Sequence, residues 1–211
     1  MLTTKNLHLM ETAAKTPLLI YTEQTPNPES LKYVTNKMLY KGTADFENSA
    51  EAMQWSPIAT ALFELPFVRR VYICNNFITV SKEINYAWED IMLKLKEQIK
   101  QLVDSGIEII SDGYEAYQKQ KEEEQANVVY DGDDEVLVQR IKELIDTYVR
   151  PAVEMDGGNI VFKSFEQGVV KVILQGSCSG CPSSTVTLKA GIEGMLKRMV
   201  PQVKEVVQEM G

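Results

Sequence analysis

Apolar and polar residues change rhythm several times along this chain, and each change predicts an element. Leu18 to Tyr21 and Leu31 to Val34 read as short strands. Between them Thr25-Pro26-Asn27-Pro28 punctuates the chain, because each proline biases its predecessor towards extended geometry. The polar run Gly42 to Ser49 reads as loop. Ser56-Pro57 predicts a helix start with proline at the first helical position, and Ile58, Leu62 and Phe63 would face inward. Val68 to Cys74 and Phe77 to Val80 are strand-like runs around Asn75-Asn76, a hairpin signal. Trp88, Ile91, Met92, Leu95, Ile99 and Leu102 fall at helical spacing, which predicts one amphipathic helix over Tyr86 to Val103, ended near Gly106.

From Gly113 to Tyr130 the character changes. Lys119 to Gln125 holds no apolar residue, so 113–130 reads as a charged flexible linker rather than a solvated helix. Beyond it, Leu137, Ile141, Leu144, Ile145 and Tyr148 form the apolar face of a helix running to about Arg150, with Pro151 near its end. Asp156-Gly157-Gly158-Asn159 predicts a turn. Ile160 to Phe165 and Val169 to Leu174 predict strands joined around Gln167-Gly168. Leu188, Ile192, Met195, Leu196 and Met199 mark a second helix stopped by Pro201, and Val203 to Val207 would close the sheet. The expected fold class is α+β: a disordered start over 1–17, a first domain over 18–112, the linker, and an α-β-β-α-β second domain over 131–211.

Composition narrows the chemistry. A net charge of -8 in 211 residues argues against nucleic acid as a partner, since phosphate contacts need Lys/Arg patches. No apolar run approaches the roughly 20 residues of a membrane span, so no membrane role is expected. The first residues lack a signal-peptide core and contain no arginine, which suggests a cytoplasmic protein. His8 is the only histidine and lies in that loose start, which excludes a His-rich metal site or a His-based triad.

The chemistry concentrates at Gly176-Ser177-Cys178-Ser179-Gly180-Cys181-Pro182-Ser183-Ser184, which holds two of the three cysteines. It lies between a predicted strand and a predicted helix, whose positive end would favour thiolate. Idle thiols are a poor fit to a Gly/Ser-rich turn. A thiol–disulfide oxidoreductase is permitted by the spacing, but no aromatic residue precedes Cys178, and a βαβ start is missing. The third reading is half of a metal or cluster site. Cys74 sits in a strand-like context and reads as core. The missing ligand pair then comes most simply from a second copy of the chain, which gives a dimer-bridging site without selecting iron over zinc. Ser177, Ser179, Ser183 and Ser184 could hydrogen-bond a bound group or cap the next helix, with capping favoured for Ser183 or Ser184.

The cysteine loop, with Thr187-Leu188-Lys189, Gly191-Ile192-Glu193, Pro151 and Asp156-Gly157-Gly158, closely resembles the C-terminal domain of NifU-like (Nfu-type) iron–sulfur cluster proteins over roughly Asp133 to Met210. Asn159 departs from an acidic residue often found there. Thr25-Pro26-Asn27-Pro28 with Leu31-Lys32-Tyr33, Ser56-Pro57-Ile58-Ala59 with Leu62-Phe63, and Phe77-Ile78-Thr79-Val80 resemble the N-terminal domain of the same proteins. Cys74-Asn75-Asn76 departs from that pattern, which leaves Cys74 without an implied ligand role. The resemblance implies a scaffold or carrier rather than an enzyme. It implies Cys178 and Cys181 as ligands of a 4Fe–4S cluster shared by two subunits. The implied partners are a second copy, an upstream donor scaffold and apo-acceptor proteins. The alternatives are an oxidoreductase or redox sensor using Cys178 and Cys181, and a zinc-bridged structural dimer.

Overall fold

The computed structural model describes residues 17–125, 130, 132–179 and 182–209. The predicted disordered start lies outside those residues apart from residue 17. The first half is built on an antiparallel sheet. Its strands are β1 (Ile20–Gln24), β2 (Ser30–Thr35), β3 (Tyr40–Phe46), β4 (Val68–Asn75) and β5 (Phe77–Lys82), in the order β1-β2-β5-β4-β3. Asn75 takes the left-handed conformation, φ 48°, that lets β4 turn straight into β5. Period-two alternation sorts the strands. Leu31, Val80, Val71 and Phe46 form one row, and Tyr33, Ile78, Ile73 and Ala44 the next. Both rows point at α1 (Ser49–Trp55), α2 (Pro57–Phe63) and α3 (Trp88–Asp104), whose Ala52, Ile58, Leu62, Ile91, Leu95 and Ile99 complete the first core. Ser56 caps α2 by accepting from the Ala59 amide at 3.1 Å and donates to the Ile109 carbonyl at 2.7 Å. Phe63, expected inside, is half-buried.

Two segments differ from the reading of the sequence. The expected loop over 42–49 is mostly β3, followed by the start of α1. Its apolar alternation is only two residues long, Ala44 and Phe46, and small polar neighbours mask it. The expected linker begins as helix α4 (Tyr114–Gln125). Tyr114 is buried in the first core, the Tyr117 ring stacks on Trp55 with centroids 4.9 Å apart, and Lys121 stands 3.7 Å from Glu51. Two aromatic anchors at one end hold a helix whose polar run carries no apolar stripe of its own.

The second half is a separate core. α5 (Gly132–Leu144) runs through one π turn, Ile145–Val149, into α6 (Arg150–Met155). The helical path therefore continues a turn past Pro151, which sits in the first turn of α6, where a missing N–H costs least. β6 (Gly158–Glu166) and β7 (Val169–Gly176) form a hairpin through Gln167 and Gly168, both at positive φ. α7 (Pro182–Met199) crosses over to β8 (Glu205–Glu209), which pairs parallel to β7. Ile141, Leu144, Ile145, Val153, Ile160, Val170, Val172, Ile192, Leu196 and Val206 fill the space between helices and sheet. The α-β-β-α-β order expected for this half is observed, and the protein is α+β in both halves. No described helix is long and apolar enough to cross a membrane.

Candidate functional site

The cysteine loop leaves the end of β7 at a point where three glycines crowd together. Gly158 and Gly176 are paired across β6 and β7. A Cβ on Gly158 would lie 2.5 Å from the Gln175 carbonyl oxygen and 2.9 Å from Cys178 Sγ. A Cβ on Gly176, at φ 63°, would lie 2.7 Å from the Gly157 carbonyl and 2.9 Å from the Tyr72 ring. Only glycine allows the strand end, the Asp156–Gly158 turn and the thiol to approach this closely. The amide of Ser177 donates to the Gly157 carbonyl at 3.2 Å, and the Ser177 hydroxyl donates to the Asp156 carbonyl at 2.5 Å. That hydroxyl also stands 3.7 Å from Cys178 Sγ. Cys178 is buried, 4% exposed, at the edge of the second core. Cys181, with Gly180 between it and Ser179, lies outside the described residues, as do the side chains of Ser183 and Ser184 and the whole of His8.

Much of what touches this loop comes from the first half of the chain, through the sheet face turned away from the helices. Lys32, Thr79, Tyr72 and Asp45 form one row on that face, and Val34, Phe77, Cys74 and Thr43 the next. Asn27 Nδ2 donates to the Ser177 carbonyl at 2.9 Å, while its Oδ1 accepts from the Glu29 amide. The amide of Gly176 donates to Asp45 Oδ2 at 3.2 Å. Arg70 grips Asp45 with Nε and Nη2, at 2.7 and 2.5 Å, and extends Nη1 to Ser179 Oγ at 2.6 Å. Tyr72 OH donates to the Gly158 carbonyl at 3.3 Å, and Lys32 Nζ to the Met155 carbonyl at 3.1 Å.

The sequence offered no signal for this role. Polar residues alternating with apolar ones in a strand look like a solvated face, yet Asn27, Lys32, Tyr72 and Thr79 are all buried. Asn27, noted in the sequence as part of a turn and of the motif Thr25-Pro26-Asn27-Pro28, holds the cysteine loop. Cys74 is buried as expected, 1% exposed, but on this outer face with Val34, Tyr72 and Phe77. Burial pushes its thiol pKa up against the opposing hydrogen bond from Tyr72, and burial drives the Tyr72 hydroxyl far above the usual phenol range. Burial also raises the Asp156 carboxyl, with Lys32 opposing. Asn159, the departure noted in the sequence, accepts from Arg150 Nη1 at 2.6 Å and donates to Oε1 of its cross-strand partner Gln175 at 2.8 Å, linking the start of α6 to β7. Glu193 takes the Val206 amide at 3.0 Å and Lys197 Nζ at 2.5 Å, tying α7 to β8.

The geometry defines a two-unit α+β protein with Cys178 just past the end of β7, in a sequence that reads Cys-x-x-Cys. Residues 141–207 match the model of the NifU-like domain, and residues 20–106 match that of the scaffold protein Nfu/NifU N terminal. The chain is 43% identical over 202 residues to a Drosophila persimilis protein named NFU1 iron-sulfur cluster scaffold homolog, mitochondrial, covering 95% of this chain and 68% of that one. The Drosophila grimshawi protein of the same name is 44% identical over 191 residues, 90% of this chain and 61% of the relative. The chain thus spans about two thirds of the length of these relatives. A solution structure of a NifU-like protein from Saccharomyces cerevisiae covers 53% of this chain and 99% of its own at 22% identity, with a TM-score of 0.42. The chain belongs to the Nfu family of iron–sulfur cluster scaffold proteins. The expectation of a cytoplasmic protein is overturned, because these relatives are named mitochondrial. That expectation rested on a start with neither a signal-peptide apolar core nor an arginine.

Proposed function

We propose that this protein carries a 4Fe–4S cluster as cargo between two copies of the chain and passes it to apo-proteins. The ligands are Cys178 and Cys181 of each copy. The observation that carries the reading is the shortage of soft donors. The chain holds three cysteines and one histidine, and Cys74 lies on a strand of the other sheet. A cubane cluster takes four thiolates, so one loop supplies half a site, and a two-fold axis supplies the rest. The family and the names of its relatives support iron–sulfur scaffolding. The same names support a mitochondrial setting. In sequence α7 begins at Pro182, directly after the second cysteine, and a helix N-terminus there would favour thiolate. A group held half by each copy can leave by stepwise exchange of thiolates with an acceptor, without opening a closed four-ligand cage.

The test is anaerobic reconstitution with iron and sulfide, followed by light scattering on a sizing column and iron analysis. The expected product is a brown dimer, absorbing near 400 nm, with about four irons per two chains. Cys178→Ala and Cys181→Ala should each abolish it. A colourless monomer with a reversible Cys178–Cys181 disulfide would overturn the reading in favour of thiol redox chemistry. A colourless dimer holding zinc would overturn it in favour of a structural bridge.

A further inference from the structure

Cys178 cannot remain where it stands and also serve a ligand site shared with a second copy. It is 4% exposed and packed at the edge of its own unit's core. Its loop neighbours Ser177, Gly176 and Ser179 are pinned by Asn27, Asp45 and Arg70, which keeps the loop from rearranging to bring the thiol out. We propose that the outer face of the first sheet is a docking site for the cysteine loop, occupied by this chain's own loop, and that undocking gates cluster loading. The gating rests on the cluster reading above, whereas the docking stands on its own geometry.

The face is built for this occupant. Asn27 and Asp45 read backbone groups of the loop, the Ser177 carbonyl and the Gly176 amide. Lys32 and Tyr72 read the preceding turn at the carbonyls of Met155 and Gly158. Arg70 is positioned by its two bonds to Asp45 before it reaches Ser179. The face demands glycine from what it receives. A Cβ at Gly157 would lie 2.8 Å from Thr79 Oγ1, and one at Gly176 would lie 2.9 Å from the Tyr72 ring. A loop with side chains at those positions would be refused.

The contact is also built to be left. Beside the small apolar cluster of Val34, Tyr72, Cys74 and Phe77, it is held by hydrogen bonds to backbone groups, which water can replace. Thr79 Oγ1 is buried beneath the turn with no hydrogen-bond partner. That hydroxyl is penalised in the docked state and solvated in the undocked one. Its strand neighbours on the same row, Lys32 and Tyr72, are both engaged with the second unit. Docked chains keep the thiol loop covered, and loaded chains leave the face open.

Cys74 reports on the face without added labels, since it lies in the row beside Tyr72 and is 1% exposed when docked. Pulsed alkylation with iodoacetamide, read by peptide mass spectrometry on the full chain, measures its access. In the apo protein, Asn27→Ala, which removes a loop contact and leaves the groups beside the Cys74 thiol in place, should raise Cys74 reactivity at least tenfold, with the Trp55 and Trp88 fluorescence melt unchanged. Gly157→Asn, which keeps the turn's φ and collides with Thr79, gives the same comparison should that change lower the melt. In the wild-type chain, cluster loading should raise Cys74 reactivity to a similar degree. Slow alkylation in every apo variant would overturn the docking. Fast alkylation in apo variants with a loaded wild-type chain as protected as the apo form would overturn the gating. If no cluster loads at all, the cluster reading fails while the apo comparison still decides the docking.

Discussion

Alanine at position 158 tests how tightly the thiol loop is packed. Gly158 has no positive φ, so space alone sets the cost. The added methyl would begin 2.5 Å from the Gln175 carbonyl oxygen and 2.9 Å from Cys178 Sγ, with the Cys178 amide at 3.2 Å. Two of those three atoms are backbone, and Cys178 is packed in the second core, so no flexible side chain can move aside. Overpacking of this kind costs about 1–3 kcal/mol, and a backbone neighbour places it near the top of that range. Replacing glycine inside a strand returns about 0.5–1 kcal/mol by restricting the unfolded chain. The net loss is about 2 kcal/mol, or about a 30-fold rise in the opening equilibrium. Because the chain has two distinct hydrophobic cores, a single global transition is a poor readout for damage to one of them. Amide hydrogen exchange resolves it. Protection across β6 and β7 should fall by about 30-fold while β4 and β5 keep theirs. Unchanged protection in β6 and β7 would refute the packing argument, and an equal fall in both sheets would show that the damage is not local.

Tyr114→Ala should cost the first unit about 3–5 kcal/mol, since it empties a buried aromatic site between Phe46, Trp55 and Tyr117. A urea titration followed by tryptophan fluorescence checks it, and a loss below about 1 kcal/mol would mean that α4 is not part of that core. Glu193 is held below the usual carboxylate range first by its Lys197 bond and then by the Val206 amide. A lowered folded-state pKa means that its contribution is fully present above the ordinary glutamate value and is lost as pH falls through the folded value. The protection factor of the Val206 amide, its exchange rate divided into the intrinsic rate at each pH, should therefore fall on acidification in the wild-type chain, and Glu193→Gln should flatten that dependence. A Val206 amide equally protected across the acid range in both proteins would remove Glu193 from the role.

The elements that the sequence made legible are those whose period was long or whose ends were marked. α3 repeats its apolar stripe over several turns. The β4–β5 hairpin carries paired asparagines, and α2 announces itself with Ser56-Pro57. β3 was hidden because its inward residues are only Ala44 and Phe46. α4 was hidden because its hold on the core is two tyrosines at one end, followed by a run that looks like solvated linker. At the site, the thiol loop stood out by composition, since cysteines are rare in this chain. Its cover did not. Arg70, Tyr72 and Lys32 occupy the alternate positions of strands that already had one apolar face. Nothing local distinguishes a polar face turned to water from one turned to another unit of the same chain. That difference is made by contacts more than a hundred residues apart, which no local period encodes.

The three glycines around the loop answer to different masters, and this shapes what mutation can explore. Gly158 is constrained by its own unit, through Gln175 and Cys178. Gly176 is constrained from both sides, by the Gly157 carbonyl and by Tyr72. Gly157 carries two separable demands, a φ of 82° that asparagine can also meet and a collision with Thr79 that belongs to the other unit. Gly157 and Thr79 are therefore sterically coupled across the chain. A lineage that lost the first unit, or shortened residue 79, would find position 157 open to drift while position 158 stayed fixed.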